Sequence, residues 1–191
     1  KAYADIRSFE RQFKDSGTLI VKFHLQISRE EQNKRLADLK SNPATAWRVN
    51  DEVLLRHERY DQYIEAIERM FAETDHPEAP WEIIDANNLE DAIYATLDRL
   101  ARHLREYVQN TKEGNLPSST PSKKKLPSSP DAPSLALANL SNSLEKDLYF
   151  QLLEEKQRKI KNLQSEAYQR RIPIVIVYEG QDAAGKGGNI R

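Results

Sequence analysis

The sequence predicts an α/β fold in which a parallel sheet is flanked by helices. Three observations carry this. Short β-rich runs alternate with long amphipathic patterns, as in chains that build parallel sheets. A glycine-rich turn follows the last β-rich run directly, at Glu179–Arg191. A stretch rich in proline, serine and lysine, residues 111–143, separates two portions that each carry part of this pattern.

The elements follow in order. Tyr3, Ile6, Phe9 and Phe13 recur at helical spacing, and Gly17 ends that helix. Thr18–Ile27 reads as a strand. Ser28 is placed to cap the next helix, with Glu31 three residues on completing a capping box. That helix runs from Arg29 to about Lys40 and stops before Asn42-Pro43. A second long helix carries Tyr60, Tyr63, Ile64, Ile67, Met70 and Phe71 on one face, and Pro77 and Pro80 break it. Trp81–Asp85 is a short strand, and Leu89, Ile93, Leu97, Leu100, Leu104 and Val108 mark a helical stripe. Two strands are too few for a stable sheet, so further strands are expected upstream of Lys1. Thr111–Ser134 lacks aromatic residues and reads as a disordered linker. Its Lys123-Lys124-Lys125 run is either solvated charge or a contact for a polyanion. Leu144, Leu148, Leu152, Ile160, Leu163 and Ala167 then mark a charged helix with Arg170-Arg171 in its last turn, and Ile172–Tyr178 is a buried-strand signal.

Composition excludes several functions. The 191 residues carry a net charge of −1, which gives no electrostatic case for nucleic acid or a membrane surface. No cysteine is present, so disulfides, thiolate nucleophiles and Cys-ligated zinc are excluded. No apolar run approaches the roughly 20 residues of a membrane span. No signal peptide is visible, and a cytoplasmic location is expected.

On strand 18–27, Leu19, Val21, Phe23, Leu25 and Ile27 share one face, and Lys22, His24 and Gln26 share the other. The polar triple fits either a solvated edge strand or the wall of a crevice. Arg35 reads either as a solvent-facing arginine or as a residue that touches a nucleotide.

The most informative residues are Gly180-Gln-Asp-Ala-Ala-Gly185-Lys186, which match the phosphate-loop pattern G-x-x-x-x-G-K. Glycines let backbone N–H groups turn inward around phosphate oxygens. A helix starting near Lys186 would add its positive end, and Lys186 a full charge. Gly187 stands where a Ser or Thr hydroxyl normally reaches Mg²⁺, so Asp182 is the candidate metal ligand.

EGQDAAGKGGNIR (Glu179–Arg191) resembles the phosphate loop of the polyphosphate kinase type 2 family. Phe9–Leu36, Trp47, Tyr60-Asp-Gln-Tyr63 and Ala79-Pro80-Trp81 resemble other stretches of the same family. The resemblance implies a P-loop kinase-like fold similar to thymidylate kinase, present as two partial domains. Residues 1–110 resemble the C-terminal half of a first domain. Residues 111–143 form the linker, and residues 144–191 resemble the start of a second domain. It further implies phosphoryl transfer between polyphosphate and a nucleotide, AMP to ADP, with Mg²⁺, by a tandem-domain polyphosphate:AMP phosphotransferase. Asp182 and Lys186 match the catalytic residues, Asp182 through the metal. Gly180, Ala183, Ala184, Gly185, Lys186, Gly187, Gly188 and Arg191 match the phosphate-binding positions. A homo-oligomer is expected.

Departures are visible too. His24 stands where the family usually carries an aromatic residue, and Ala44-Thr45-Ala46 lacks its basic residues. The first domain therefore reads as a degenerate, non-catalytic copy. The family's downstream Asp-Arg pair is absent from these residues, so the isolated 191 residues are expected to be inactive. Two other readings stand beside this one: an ATP-dependent nucleoside or nucleotide kinase, and a non-catalytic regulatory or oligomerisation module.

Overall fold

A computed structural model describes residues 2–77, 79–113, 133–141 and 143–190. Its helices and strands alternate as expected: α1 (Ala2–Asp15), β1 (Leu19–Gln26), α2 (Arg29–Ser41), α3 (Asp51–Glu58), α4 (Tyr60–Thr74), β2 (Trp81–Asp85), α5 (Leu89–Lys112), α6 (Lys146–Gln169), β3 (Ile174–Gly180) and α7 (Lys186–Ile190). The fold is an α/β, P-loop kinase-like arrangement around a three-stranded parallel sheet of order β2-β1-β3.

Local signals set most boundaries. Gly17 takes φ +80° just past α1, where a glycine is unstrained. Half of the capping box forms: Ser28 Oγ accepts from Glu31 N–H at 3.1 Å, but the Ser28 N–H donates to Asn87 Oδ1 at 2.9 Å. Asn50 and Asn88 cap α3 and α5 in the same way. The helix read on Tyr60–Phe71 is α4, and a short helix that the sequence reading did not assign, α3, precedes it and breaks from it at Arg59. α6 ends at Gln169, so Arg170 is its C-cap and Arg171 lies beyond, at φ +55°.

Two expectations for the sheet are overturned. β1 is the central strand and all eight of its residues are buried, so its polar triple is no solvated edge. β3, read as a buried strand, lies at the end of the sheet's strand order with every residue half-buried or exposed. The third strand of this sheet comes from downstream: Leu19 to Leu25 of β1 register with Ile174 to Gly180 of β3. The portions read as parts of two domains thus contribute strands to one sheet.

The main core fills the face carrying Leu19, Val21, Phe23 and Leu25, against Ala92, Leu100 and Leu104 of α5, with Ile160 and Leu163 of α6 at its margin. On the opposite face, Lys22 Nζ donates to Glu10 Oε1 at 3.0 Å and to the Thr74 carbonyl at 2.8 Å. Glu10 Oε2 meets His76 Nε2 at 2.8 Å. The Trp81 ring lies 5.1 Å from the Lys22 ammonium. A buried charge persists only with such partners.

Parts of the expected linker are structured. Thr111 and Lys112 belong to α5. Leu135 is buried beside Phe71 and Trp81, and the Leu140 carbonyl accepts from Asn87 Nδ2 at 2.9 Å. The lysine run 123–125 lies outside the described residues.

Candidate functional site: a phosphate loop braced by two arginines

β3 ends in the glycine-rich loop, and α7 begins at Lys186, as the loop pattern requires. Two glycines are obligatory. Gly180 has φ +146°, and a Cβ there would stand 2.5 Å from the Leu25 carbonyl oxygen. Gly185 has φ +92°, and a Cβ would stand 2.9 Å from Leu89 Cδ1. Ala183 also takes a positive φ, +65°, which folds the loop inward. Ala184 is buried in the main core and anchors the loop from below. Gly187 and Gly188 lie in α7. Arg191 lies outside the described residues.

The N–H groups of Gly185, Lys186 and Gly187 donate to no described residue, while Gly188 and Asn189 bond back to the Gly185 carbonyl. Successive backbone donors left unpaired can make an anion-binding concavity. Lys186 Nζ rests on the carbonyls of Gly180 at 2.5 Å and Gln181 at 3.0 Å. Burial lowers its pKa from the ordinary lysine value and the charge of Arg56 adds to this, against the Asp182 and Glu179 carboxylates. The loop lines an open cleft of about 1060 Å³, whose other walls carry Lys34, Arg35, Arg48, Asn87 and Leu89.

Arg35 is largely buried in the cleft wall rather than turned to solvent. Its Nη1 donates to the loop carbonyl of Ala183 at 2.9 Å, and its Nη2 donates to Ala86 and Asn87, both at 2.7 Å. Its Nε reaches Glu31 at 2.7 Å. It is a strut between the loop and the C-terminal end of β2. Gln32 Nε2 adds a bond to the Asp182 carbonyl at 3.1 Å, and His57 Nδ1 holds the Gln32 amide oxygen at 2.8 Å.

Asp182 is held by a residue that the sequence did not single out: Arg56 Nε donates to its Oδ2 at 2.7 Å. No described group of three or more His, Asp or Glu side chains could hold a metal by itself. A single carboxylate still fits a Mg²⁺-type ion, which commonly takes one or two carboxylates plus phosphate oxygens and water. Asp182 also lines a second cavity of about 170 Å³, with Gln32, Arg56, Tyr60, Tyr63 and Gln181. The polar triple of β1 lies behind the loop: His24 registers with Glu179, and Leu25 with Gly180. Burial pushes the His24 imidazole down to about 4, and the charge of Lys186 adds to the fall against a bond to Gln26.

A strand, a glycine loop with a basic side chain at its base, and a helix beyond it define a P-loop kinase-like protein. Residues 1–113 and 143–191 match the model of the family Polyphosphate kinase 2 (PPK2), and the chain belongs to that family. The polyphosphate:AMP phosphotransferase of Pseudomonas aeruginosa is 31% identical over 189 residues, covering 96% of this chain and 36% of the relative. That of Pseudomonas syringae pv. tomato is 30% identical, covering 100% and 38%. The AMP/ADP-polyphosphate phosphotransferase of Meiothermus ruber is 42% identical over 87 residues, 46% of this chain and 33% of the relative. The chain spans about a third of the length of these relatives. Among the described residues no helix is long and apolar enough to cross a membrane.

Proposed function

We propose that the protein carrying this chain transfers a phosphoryl group between polyphosphate and AMP, giving ADP and a shortened polyphosphate. The observation that carries this is the loop itself: Asp182, Lys186 and backbone N–H groups with no partner among the described residues line a cleft of about 1060 Å³. The names of the Pseudomonas relatives support polyphosphate and AMP as the substrate pair.

The protein's task in such a transfer is positioning and charge neutralisation. Phosphate oxygens would take the loop N–H groups, and Lys186 would leave the Gly180 and Gln181 carbonyls for them. Arg35 would keep the Ala183 turn closed while this happens. A divalent cation, Mg²⁺ in our reading, would be held by Asp182 and would neutralise charge between the two reacting phosphates. An oxygen of AMP would bond to the terminal phosphorus as the bridge to the rest of the chain breaks.

The alignment of the P. aeruginosa relative through 189 residues also supports reading 1–110 and 144–191 as neighbouring portions of a tandem protein. In that layout the loop aspartate and lysine belong to the second domain. The test is ADP formation by the full-length protein from AMP, polyphosphate and Mg²⁺ without ATP. Wild type should form ADP and Asp182→Asn should not. Activity with ATP alone would make the protein an ordinary nucleotide kinase, and ADP formation that survives the substitution would place the chemistry elsewhere.

A further inference from the structure

The loop is shaped from outside as well as by its glycines. Ala183 holds φ +65°, in the left-handed region that a non-glycine residue keeps only when its surroundings hold it there. Two side chains one turn apart on α2 do so. Gln32 Nε2 donates to the Asp182 carbonyl at 3.1 Å, and Arg35 Nη1 donates to the next carbonyl, that of Ala183, at 2.9 Å. Gln32 is buried, at 3% exposure. Its amide fits in only one sense. The Asp182 carbonyl is an acceptor, so the amide nitrogen must face it, and the amide oxygen is left for His57. His57 Nδ1 stands 2.8 Å from that oxygen and must therefore carry the ring proton on that side. An unprotonated Nδ1 would favour the flipped amide, which sets oxygen against the loop carbonyl.

We propose that Gln32, oriented by His57, is a positioning residue for the reaction: it sets the Asp182–Ala183 peptide so that the Ala183 N–H joins the phosphate-binding donors. The inference rests on the function proposed above. In a trans peptide the C=O and N–H point in opposite directions, and the described residues contain no cis bond. Pinning the Asp182 carbonyl to Gln32 therefore turns the Ala183 N–H away from Gln32. Ala183 lines the large cleft and Gln32 does not. The Ala183 N–H has no partner among the described residues, so it is available to an anion. Arg35 holds the other side of the same residue, and the two grips together fix both peptides of the strained turn. His57 lines neither cavity, and it acts on a phosphate only through Gln32.

The experiment is a ¹⁵N NMR titration of the chain with inorganic tripolyphosphate and Mg²⁺, for wild type, Gln32→Met, His57→Leu and His57→Asn. In wild type the Ala183 N–H should shift together with the Gly185–Gly187 amides. Gln32→Met keeps the length of the side chain without its amide. It should weaken binding about tenfold, the scale of one hydrogen bond, and leave the Ala183 N–H unmoved. His57→Leu frees the Gln32 amide to flip and should weaken binding about threefold to tenfold. His57→Asn keeps an N–H donor for Gln32 and should restore affinity to within about twofold of wild type. Leu and Asn are alike in size and neither is charged, so the rescue reads the hydrogen bond and not packing or charge. Should Gln32→Met fail to fold, seen as lost signal dispersion, the two His57 variants decide. Wild-type affinity in His57→Leu, or no rescue by Asn, overturns the proposal. So does an Ala183 N–H that stays still in wild type while the Gly185–Gly187 amides shift. If tripolyphosphate moves no loop amide, the phosphate-loop reading falls first and takes this one with it.

Discussion

β1 and β3 lie side by side in register, yet their sequences suggest the reverse of where they sit. β1, Leu-Ile-Val-Lys-Phe-His-Leu-Gln, alternates in a way that suits a half-solvated strand, and every residue is buried. β3, Ile-Val-Ile-Val-Tyr-Glu-Gly, is a continuous apolar run that suits burial on both faces. None of its residues is fully buried. The difference shows that polarity along a strand reports what its side chains can be paired with, and position in the sheet is decided by the partners. β1 can be central because α1 and the end of α4 supply Glu10 and the Thr74 carbonyl for Lys22. The loop strand has one strand partner among the described residues.

The sharpest way to break this contrast is to remove a partner of the central strand. Glu10→Ala leaves the buried Lys22 ammonium without its carboxylate partner and should cost about 3–5 kcal/mol, read as a large fall in Tm. Adding Lys22→Met to it should restore much of the loss, because the stranded charge is then gone.

A smaller effect follows pH. His24 on β1 is neutral in the fold, with its pKa held near 4 by burial against an ordinary 6.5. The unfolded chain takes up a proton below pH 6.5 that the folded chain refuses until about pH 4. Stability should therefore be full above 6.5 and decline between 6.5 and 4, by up to about 3 kcal/mol at ~1.4 kcal/mol per pKa unit. Urea unfolding at pH 7 and pH 4.5 measures this, and His24→Phe should flatten the decline. Glu82 acts lower down. Although burial alone would raise its pKa, His103, Arg102 and Arg99 hold the carboxyl down to about 2 from 4.5. Its share is present above 4.5 and fades as pH falls through that window.

The junction of the two strands gives the next test. Gly180→Ala puts a Cβ against the Leu25 carbonyl at a positive φ, and should cost at least ~2 kcal/mol and disorder the loop. Gly187→Ala meets nothing within 4 Å and should unfold at the wild-type temperature. The smallest effect is expected on β3 itself: Ile176, 38% exposed, should tolerate threonine within about 0.5 kcal/mol. The same change at Val21 on β1 buries a hydroxyl and should cost several times more.

Much of the fold was legible in the residues. The strand starting near Trp81, the capping at Ser28 and the helix start at Lys186 were all carried by local chemistry. The loop was the most legible part of the site, because the positive φ of Gly180 and Gly185 is a local demand that the residue type itself reveals. What was not legible depends on contacts distant in sequence. Arg35 reads as any helix arginine until its four hydrogen bonds tie Glu31, Ala86, Asn87 and Ala183 together. Arg56 gave no signal, because its partner Asp182 lies 126 residues away. The one available hint was charge: a loop carboxylate beside phosphate-binding groups needs a cation nearby, and α3 carries one.

The central claim is that residues 180–188 hold phosphate through Lys186. Isothermal titration of the chain with inorganic tripolyphosphate and Mg²⁺, for wild type and Lys186→Ala, tests it most directly. Wild type should bind saturably, and the substitution should weaken binding about tenfold or more. Equal affinity in both proteins, or no binding by wild type, would contradict it.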